Sequence, residues 1–305
     1  MFSGSLVALI TPMLDDGAID FDAWDRLLDL HLHSGTSGVI VGGSTGESVA
    51  LAEGELEALL ARARRHIRGR MALIAGLGGS STAAVAGRAR GLADAGLDAL
   101  LVVTPAYNRP MQQGLYLHFA AIAAVAPVPV LLYNVPGRTG VDLLPATVGR
   151  LAELQRIVGI KEAVGDVGRV RELVKGTPPG FCVLSGDDAT ACAAVLAGAR
   201  GVISVTANVV PAAVAAVMAA ALSADRALAE RLDGALALLH RELSVESNPI
   251  PVKWAAAEMK LINPGIRLPL TWLSEAAQAR VRAALNAAQS AGGALPQARA
   301  FGTGA

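Results

Sequence analysis

The residues from Arg156 to Lys161 read R-I-V-G-I-K, a short apolar run that closes on an amine. A run of this length and β-branched character is too short for a helix and fits a strand buried on both faces. The chain holds only four lysines (Lys161, Lys175, Lys253 and Lys260) among its 26 Lys and Arg residues, so arginine serves almost wherever a solvated positive charge is needed. Arginine keeps its proton at any usable pH, whereas a desolvated lysine can shed it and act as an amine nucleophile. Taken alone, the segment also fits a lysine whose stem lies on apolar surface with its ammonium in water. Its neighbours decide between the two.

Further reactive groups follow similar apolar runs. G-G-S-T-G-E-S, Gly42 to Ser48, presents Ser44 and Thr45 on a Gly-rich turn whose backbone N–H groups suit a small anion. It is neither a Walker A loop nor a dinucleotide fingerprint. T-P-A-Y-N-R-P places Tyr107 on a loop, and Y-N-V-P-G-R-T-G supplies Tyr133 and Arg138. L-S-G-D-D-A brings Gly186, Asp187 and Asp188, and G-V-I-S-V-T-A-N contains Ile203. Each has a plainer role open to it: loop anchor for Tyr107, rim aromatic for Tyr133, turn residue for Arg138, helix cap for Asp187 or Asp188.

Together the set is an amine, two phenols, two hydroxyls and a guanidinium, which suits Schiff-base chemistry on a 2-oxo acid. The amine forms an imine at the ketone carbon, hydroxyls ferry protons through the carbinolamine and enamine steps, and backbone N–H groups hold the carboxylate. A lysine at the ordinary pKa of about 10.4 is nearly all protonated at neutral pH, so this chemistry calls for a buried amine. The five histidines, His31, His33, His66, His118 and His240, all fall in helical patterns, and no H-E-x-x-H occurs. Neither a metal site nor a cofactor is expected.

These groups need a scaffold that points strand ends at one place. Strand-like runs recur at Leu6 to Ile10, Gly38 to Val41, Ala72 to Ala75, Leu100 to Val103, Val128 to Tyr133, Ile157 to Ile160, Phe181 to Leu184 and Val202 to Val205. Helical stretches such as Phe21 to His33, Glu53 to Ile67, Ser81 to Ala95 and Gly114 to Val125 lie between them. Eight alternating units of this size predict an α/β fold, a (β/α)8 TIM barrel over residues 1–224, with catalytic groups at the C-terminal strand ends. An open doubly wound sheet is the competing architecture, but no G-x-G-x-x-G follows the first strand. From Asp225 the pattern turns helical (Asp225 to Leu243, Val252 to Met259, Ser274 to Gln289), predicting a C-terminal helical extension over 225–290. Residues 291–305 are Gly/Ala-rich without periodicity and read as a poorly ordered tail.

Composition narrows the partners. Acidic and basic residues balance at 26 each, with no basic run, which speaks against nucleic acid or an anionic membrane and for a small substrate. The longest apolar stretch, Ala212 to Leu222, is too short for a bilayer span, and the N-terminus lacks the basic region of a signal peptide. Cys182 and Cys192, without metal or redox spacing, read as reduced thiols of a cytoplasmic protein.

At these residues the sequence resembles the dihydrodipicolinate synthase branch of the pyruvate-dependent class I aldolases. G-S-T-G-E, T-P-x-Y-N-R-P, Y-N-V-P-x-R-T-G, G-I-K-E-A, L-S-G-D-D and G-V-I-S-V-T-A-N stand in family order. V-E-x-N-P-I-P-V-K-W (Val245 to Trp254) and R-L-P (Arg267 to Pro269) extend the likeness, which covers roughly residues 1–288. The resemblance implies that Lys161 forms a Schiff base with pyruvate and that Tyr133 donates and accepts protons. Ser44 and Tyr107 would complete a hydroxyl relay, with Tyr107 reaching in from a neighbouring subunit of a homotetramer built as a dimer of dimers. Thr45, Gly186 and the backbone at Ile203 fall among the substrate-binding positions, and Arg138 would grip the carboxylate of L-aspartate 4-semialdehyde.

Two departures stand out. The relay hydroxyl is usually Thr in the synthases and is Ser44 here, as in the sugar-acid lyases of the superfamily; losing the β-methyl leaves it less stiff. Arg138 argues the other way, because the neuraminate-lyase branch lacks it. The remaining alternatives are another pyruvate-dependent aldolase acting on a sialic or deoxy-sugar acid, and a catalytically silent binding barrel. The positions matching the family's lysine-inhibition pocket are Glu53, Leu56, Ser80, Ala84 and Ala106, which lack most of the groups that would grip lysine. Little or no feedback inhibition is therefore expected.

Overall fold

Because side chains alternate across a strand, each apolar run here feeds two cores at once. In the computed structural model, which describes residues 2–290, the runs become eight parallel strands. They are β1 (Gly4–Ala8), β2 (Gly38–Val41), β3 (Ala72–Leu77), β4 (Ala99–Val103), β5 (Val130–Asn134), β6 (Ile157–Glu162), β7 (Cys182–Ser185) and β8 (Gly201–Ser204). They close in sequence order, with β8 pairing back onto β1, so the fold is the expected (β/α)8 barrel and not an open sheet. Inward residues Leu6, Ile40, Ile74, Leu101, Leu131 and Ile203 fill the barrel. Outward residues such as Val7, Val39, Leu100, Leu132 and Val202 pack with Trp24, Leu28, Phe119 and Ile122 of the surrounding helices.

The strand ends fall within two residues of where the pattern placed them, the usual looseness of ends set by hydrogen bonds and not by hydropathy. One shift matters. β6 does not end on Lys161 but continues to Glu162, so the lysine is a true interior strand position.

Past β8, the long apolar helix Pro211–Leu222 receives the extension, which comprises helices Arg226–Glu242, Ile250–Glu258 and Glu275–Ser290. Asp225 caps the first of these by accepting from the Leu228 N–H, and Leu232, Leu236 and Leu239, spaced by three and four, are buried. The 291–305 tail lies outside the described residues. No described helix is long and apolar enough to cross a membrane. Cys182 and Cys192 are free, buried thiols, each pushed up to about 11 chiefly by burial.

His240 fastens the extension to the end of β8. Its Nδ1 lies 2.8 Å from Thr206 Oγ1 and its Nε2 3.7 Å from Asp233 Oδ1. Burial disfavours the charged ring, but the hydrogen bond to Asp233 and the nearby charges of Asp188 and Asp187 outweigh it, and the net shift is upward. A folded pKa above the unfolded value of about 6.5 makes this stabilisation complete below pH 6.5 and lost as pH rises through the folded value. Urea unfolding of wild type and His240→Asn should therefore show a stability gap that narrows between pH 6 and pH 8.5 (two assay points chosen to bracket the unfolded pKa of roughly 6.5). A gap that widens over that range would contradict the assignment.

A cavity of about 610 Å³ opens at the N-terminal strand ends, lined by residues including Phe2, Met71, Asp98, Val158 and Cys182. It is at the wrong end for barrel chemistry, which gathers at the C-terminal face. Lys161 and Tyr133 sit at that other end.

Candidate active site

Adjacent strands β5 and β6 supply the centre of the site. In their ladder Tyr133 is paired with Lys161, and Asn134 with Glu162. The pleat turns the first pair into the barrel and the second out of it. Inside, Lys161 Nζ lies 4.5 Å from the centroid of the Tyr133 ring, with the two residues 4% and 7% exposed. The ring's negative face attracts the ammonium and offsets part of its desolvation. Among the described residues Lys161 takes part in no ion pair, so its amine is free to react.

Gly186, just beyond β7, makes room for this amine. A Cβ there would lie 2.8 Å from Lys161 Cε and 3.0 Å from Cγ, inside van der Waals contact. Its backbone N–H donates to the Glu162 carbonyl at 2.7 Å, which holds the glycine against β6.

On the outer side the amide of Asn134 donates to both Glu162 carboxylate oxygens at 3.1 Å and to Asp142 Oδ1 at 2.8 Å, while its Oδ1 accepts from the Leu143 N–H at 2.9 Å. Arg169 pairs with Asp142 at 2.7 Å and stands 4.0 Å from Glu162. Burial pushes the Glu162 carboxyl up, against the hydrogen bonds from Asn134 and Val164. This network clips together the very residues that follow Tyr133 and Lys161.

The Gly-rich turn after β2 carries Ser44, half-buried, and Thr45, 2% exposed. Asn248, from the loop before helix Ile250–Glu258, donates its side-chain amide to Thr45 Oγ1 at 2.9 Å, and its backbone carbonyl accepts from Arg138 Nη2 at 2.9 Å. Arg138 sits on a single helical turn, Pro136–Thr139, where the sequence read a simple turn. Ile203 on β8 is fully buried in the same inner cluster as Tyr133. Asp187 caps helix Asp188–Leu196 by accepting from the Thr190 N–H at 3.0 Å. Asp188 instead accepts from Ser204 Oγ, Val205 N and Thr206 N at 2.5, 2.8 and 3.0 Å, fixing the end of β8.

The barrel thus brings Lys161, Tyr133, Gly186 and Ile203 into one interior, and Asn248 joins Thr45 to Arg138. Ser44 shares the turn with Thr45 without a side-chain hydrogen bond among the described residues, and Tyr107 stands in the left-handed region at φ 76° and is 93% exposed, so one chain alone does not bring it into the buried pair. Sequence reasoning missed Asn248, whose one signal was a polar residue preceding prolines in an otherwise Ala-rich helical stretch. Among the described residues no group of three or more His, Cys, Asp or Glu is placed to hold a metal.

A buried amine against a phenol at the C-terminal mouth of a barrel is an arrangement for imine chemistry, and known proteins with this fold support that direction. The Dihydrodipicolinate synthetase family matches residues 1–288. A 4-hydroxy-tetrahydrodipicolinate synthase of Laribacter hongkongensis is 50% identical over 288 residues, covering 94% of this chain and 99% of the relative. One of Methylococcus capsulatus is also 50% identical, over 289 residues, again covering 94% and 99%. Among solved structures, the chloride-inhibited dihydrodipicolinate synthase of Acinetobacter baumannii, complexed with pyruvate, superposes with a TM-score of 0.93 at 46% identity and covers 95% of this chain and 99% of that one. Sequence and barrel agree, and this chain belongs to the dihydrodipicolinate synthetase family.

Proposed function

We propose that this chain is a 4-hydroxy-tetrahydrodipicolinate synthase, a lyase of the class I aldolase type that joins pyruvate to L-aspartate 4-semialdehyde through a Schiff base on Lys161. The observation that carries the reading is the inward Lys161 amine, 4.5 Å from the Tyr133 ring and in no ion pair among the described residues. The amine adds to the ketone carbon of pyruvate, and loss of water from the carbinolamine leaves the imine. Tyr133 is suited to move the protons of these steps. Removal of a methyl proton gives the enamine, whose carbon attacks the aldehyde of the second substrate. The amino group of that condensed product then attacks the imine carbon, closing the ring and releasing Lys161. In this reading Thr45 and the backbone at Ile203 contact pyruvate, and Arg138 grips the carboxylate of the semialdehyde.

Ser44, where the synthases usually carry Thr, is the one observation that favours a sugar-acid aldolase instead. A coupled assay separates the two: the proposal expects product from pyruvate plus L-aspartate 4-semialdehyde and no cleavage of sialic or 2-keto-3-deoxy-sugar acids. Cleavage without condensation would overturn it.

Three further points belong to this reading. The exposed, strained Tyr107 supports completion of the hydroxyl relay across a subunit interface in a homotetramer. The two free, buried cysteines support a cytoplasmic setting. Lysine is not expected to inhibit: of the five matching positions only Glu53 keeps a charged group, Leu56, Ala84 and Ala106 offer no polar side chain, and the Ser80 hydroxyl donates to the Ala106 carbonyl at 2.8 Å. Activity titrated with L-lysine should stay flat through the sub-millimolar range, and strong inhibition there would refute this point.

A further inference from the structure

Lys253 and Glu47 form an ion pair in which the two side chains are 0% and 1% exposed. Burying two charges is expensive, and an apolar pair of the same volume would often serve stability as well or better. Where the pair sits gives it another use. Glu47 ends the turn that carries Ser44 and Thr45, and it adopts the left-handed region at φ 55°, a conformation a non-glycine residue keeps only when its surroundings enforce it. Lys253 comes from the extension helix Ile250–Glu258, 206 residues away in sequence.

The same turn is held at other points. The Glu47 carboxylate also accepts from the Arg267 backbone N–H at 3.3 Å. The Arg267 guanidinium donates to the Ala50 carbonyl at 2.8 Å and to both oxygens of Glu55 at 2.6 and 2.7 Å. Thr11 Oγ1 donates to the Gly46 carbonyl at 2.8 Å, and Asn248 holds Thr45 itself. The extension therefore holds the turn at Thr45 and Glu47, while Thr11 holds Gly46 from the barrel side.

We propose that Glu47 and Lys253 are positioning residues, which set the Gly42–Ser48 turn so that Ser44 and Thr45 meet the pyruvate carboxylate and the proton relay. The inference rests on the synthase reading above. It gives the helical extension a part in catalysis: the extension sets the shape of the anion-holding turn without touching substrate.

The test uses the full-length protein as Glu47→Gln, Lys253→Met and the double variant carrying both. Each is measured for Tm, for pyruvate KM in the coupled assay, and for borohydride-trapped adduct on Lys161 with pyruvate, where the hydride reduces the imine to a stable amine. Lys253→Met leaves a buried carboxylate without its partner and should lower Tm, whereas the double variant should recover it. Pyruvate KM in the double variant should nevertheless stay roughly 10- to 100-fold above wild type, the cost of a misplaced binding group. The adduct should still form at saturating pyruvate. A purely structural pair would let KM recover along with Tm, and a folded double variant with wild-type KM overturns the inference. The isosteric Glu47→Gln gives a second reading: wild-type pyruvate KM in that folded protein overturns it equally. If wild type itself gains no adduct, the synthase reading fails and the inference falls with it.

Discussion

Replacing Lys161 by alanine should lower kcat by roughly 10³-fold or more, because the covalent route disappears and only substrate binding remains. The amine is buried and among the described residues in no ion pair, so removing it strands no charged partner, and the fold should survive. Wild type treated with pyruvate and borohydride should gain a covalent adduct on this residue, and the variant should gain none. The comparison is read by intact mass alongside circular dichroism. A folded Lys161→Ala protein that turns over within tenfold of wild type (where a lost nucleophile should cost about 10³-fold or more) would end the Schiff-base account.

Tyr133→Phe is expected to have the second-largest effect. The ring face that meets Lys161 at 4.5 Å remains and only the hydroxyl is lost, so packing is preserved and the proton path is not. Loss of a positioned proton donor and acceptor costs about 10²- to 10⁴-fold in kcat. Stability should change by no more than about 1 kcal/mol, the net worth of one hydrogen bond. Adduct formation with pyruvate should be slowed but still reach completion, which separates a proton-transfer defect from a lost nucleophile. An unchanged kcat would move the proton role to another hydroxyl, with Ser44 the first to examine.

The parts of this molecule that periodicity governs were legible in the chain itself. Eight β-branched runs alternating with helical stretches give eight strands in order, because a strand buried on both faces can only read as a short apolar run. The position of Lys161 was legible to within one residue: hydropathy stops at the amine, whereas the ladder of hydrogen bonds runs on to Glu162. Arg138 was seen, but the helical turn it rides on, with Pro136 at its first position, was not. Asn248 and Arg267 stood within stretches quoted only as marks of family likeness, and Lys253 was read as one of four lysines in a predicted helix. Their work is to hold a turn near residue 45, and no local pattern announces a partner 203 or 206 residues away.

The pairing of Tyr133 with Lys161 in one ladder, backed by Asn134 and Glu162, has a consequence for how this protein can change. The gap between amine and phenol is set by the 4.7–4.9 Å spacing of neighbouring strands, a dimension common to every sheet. Loops at the rim can lengthen, shorten or drift with temperature and leave that gap alone. New acceptor aldehydes can therefore be explored by altering the rim around Arg138, provided the Gly42–Ser48 turn that serves pyruvate is kept.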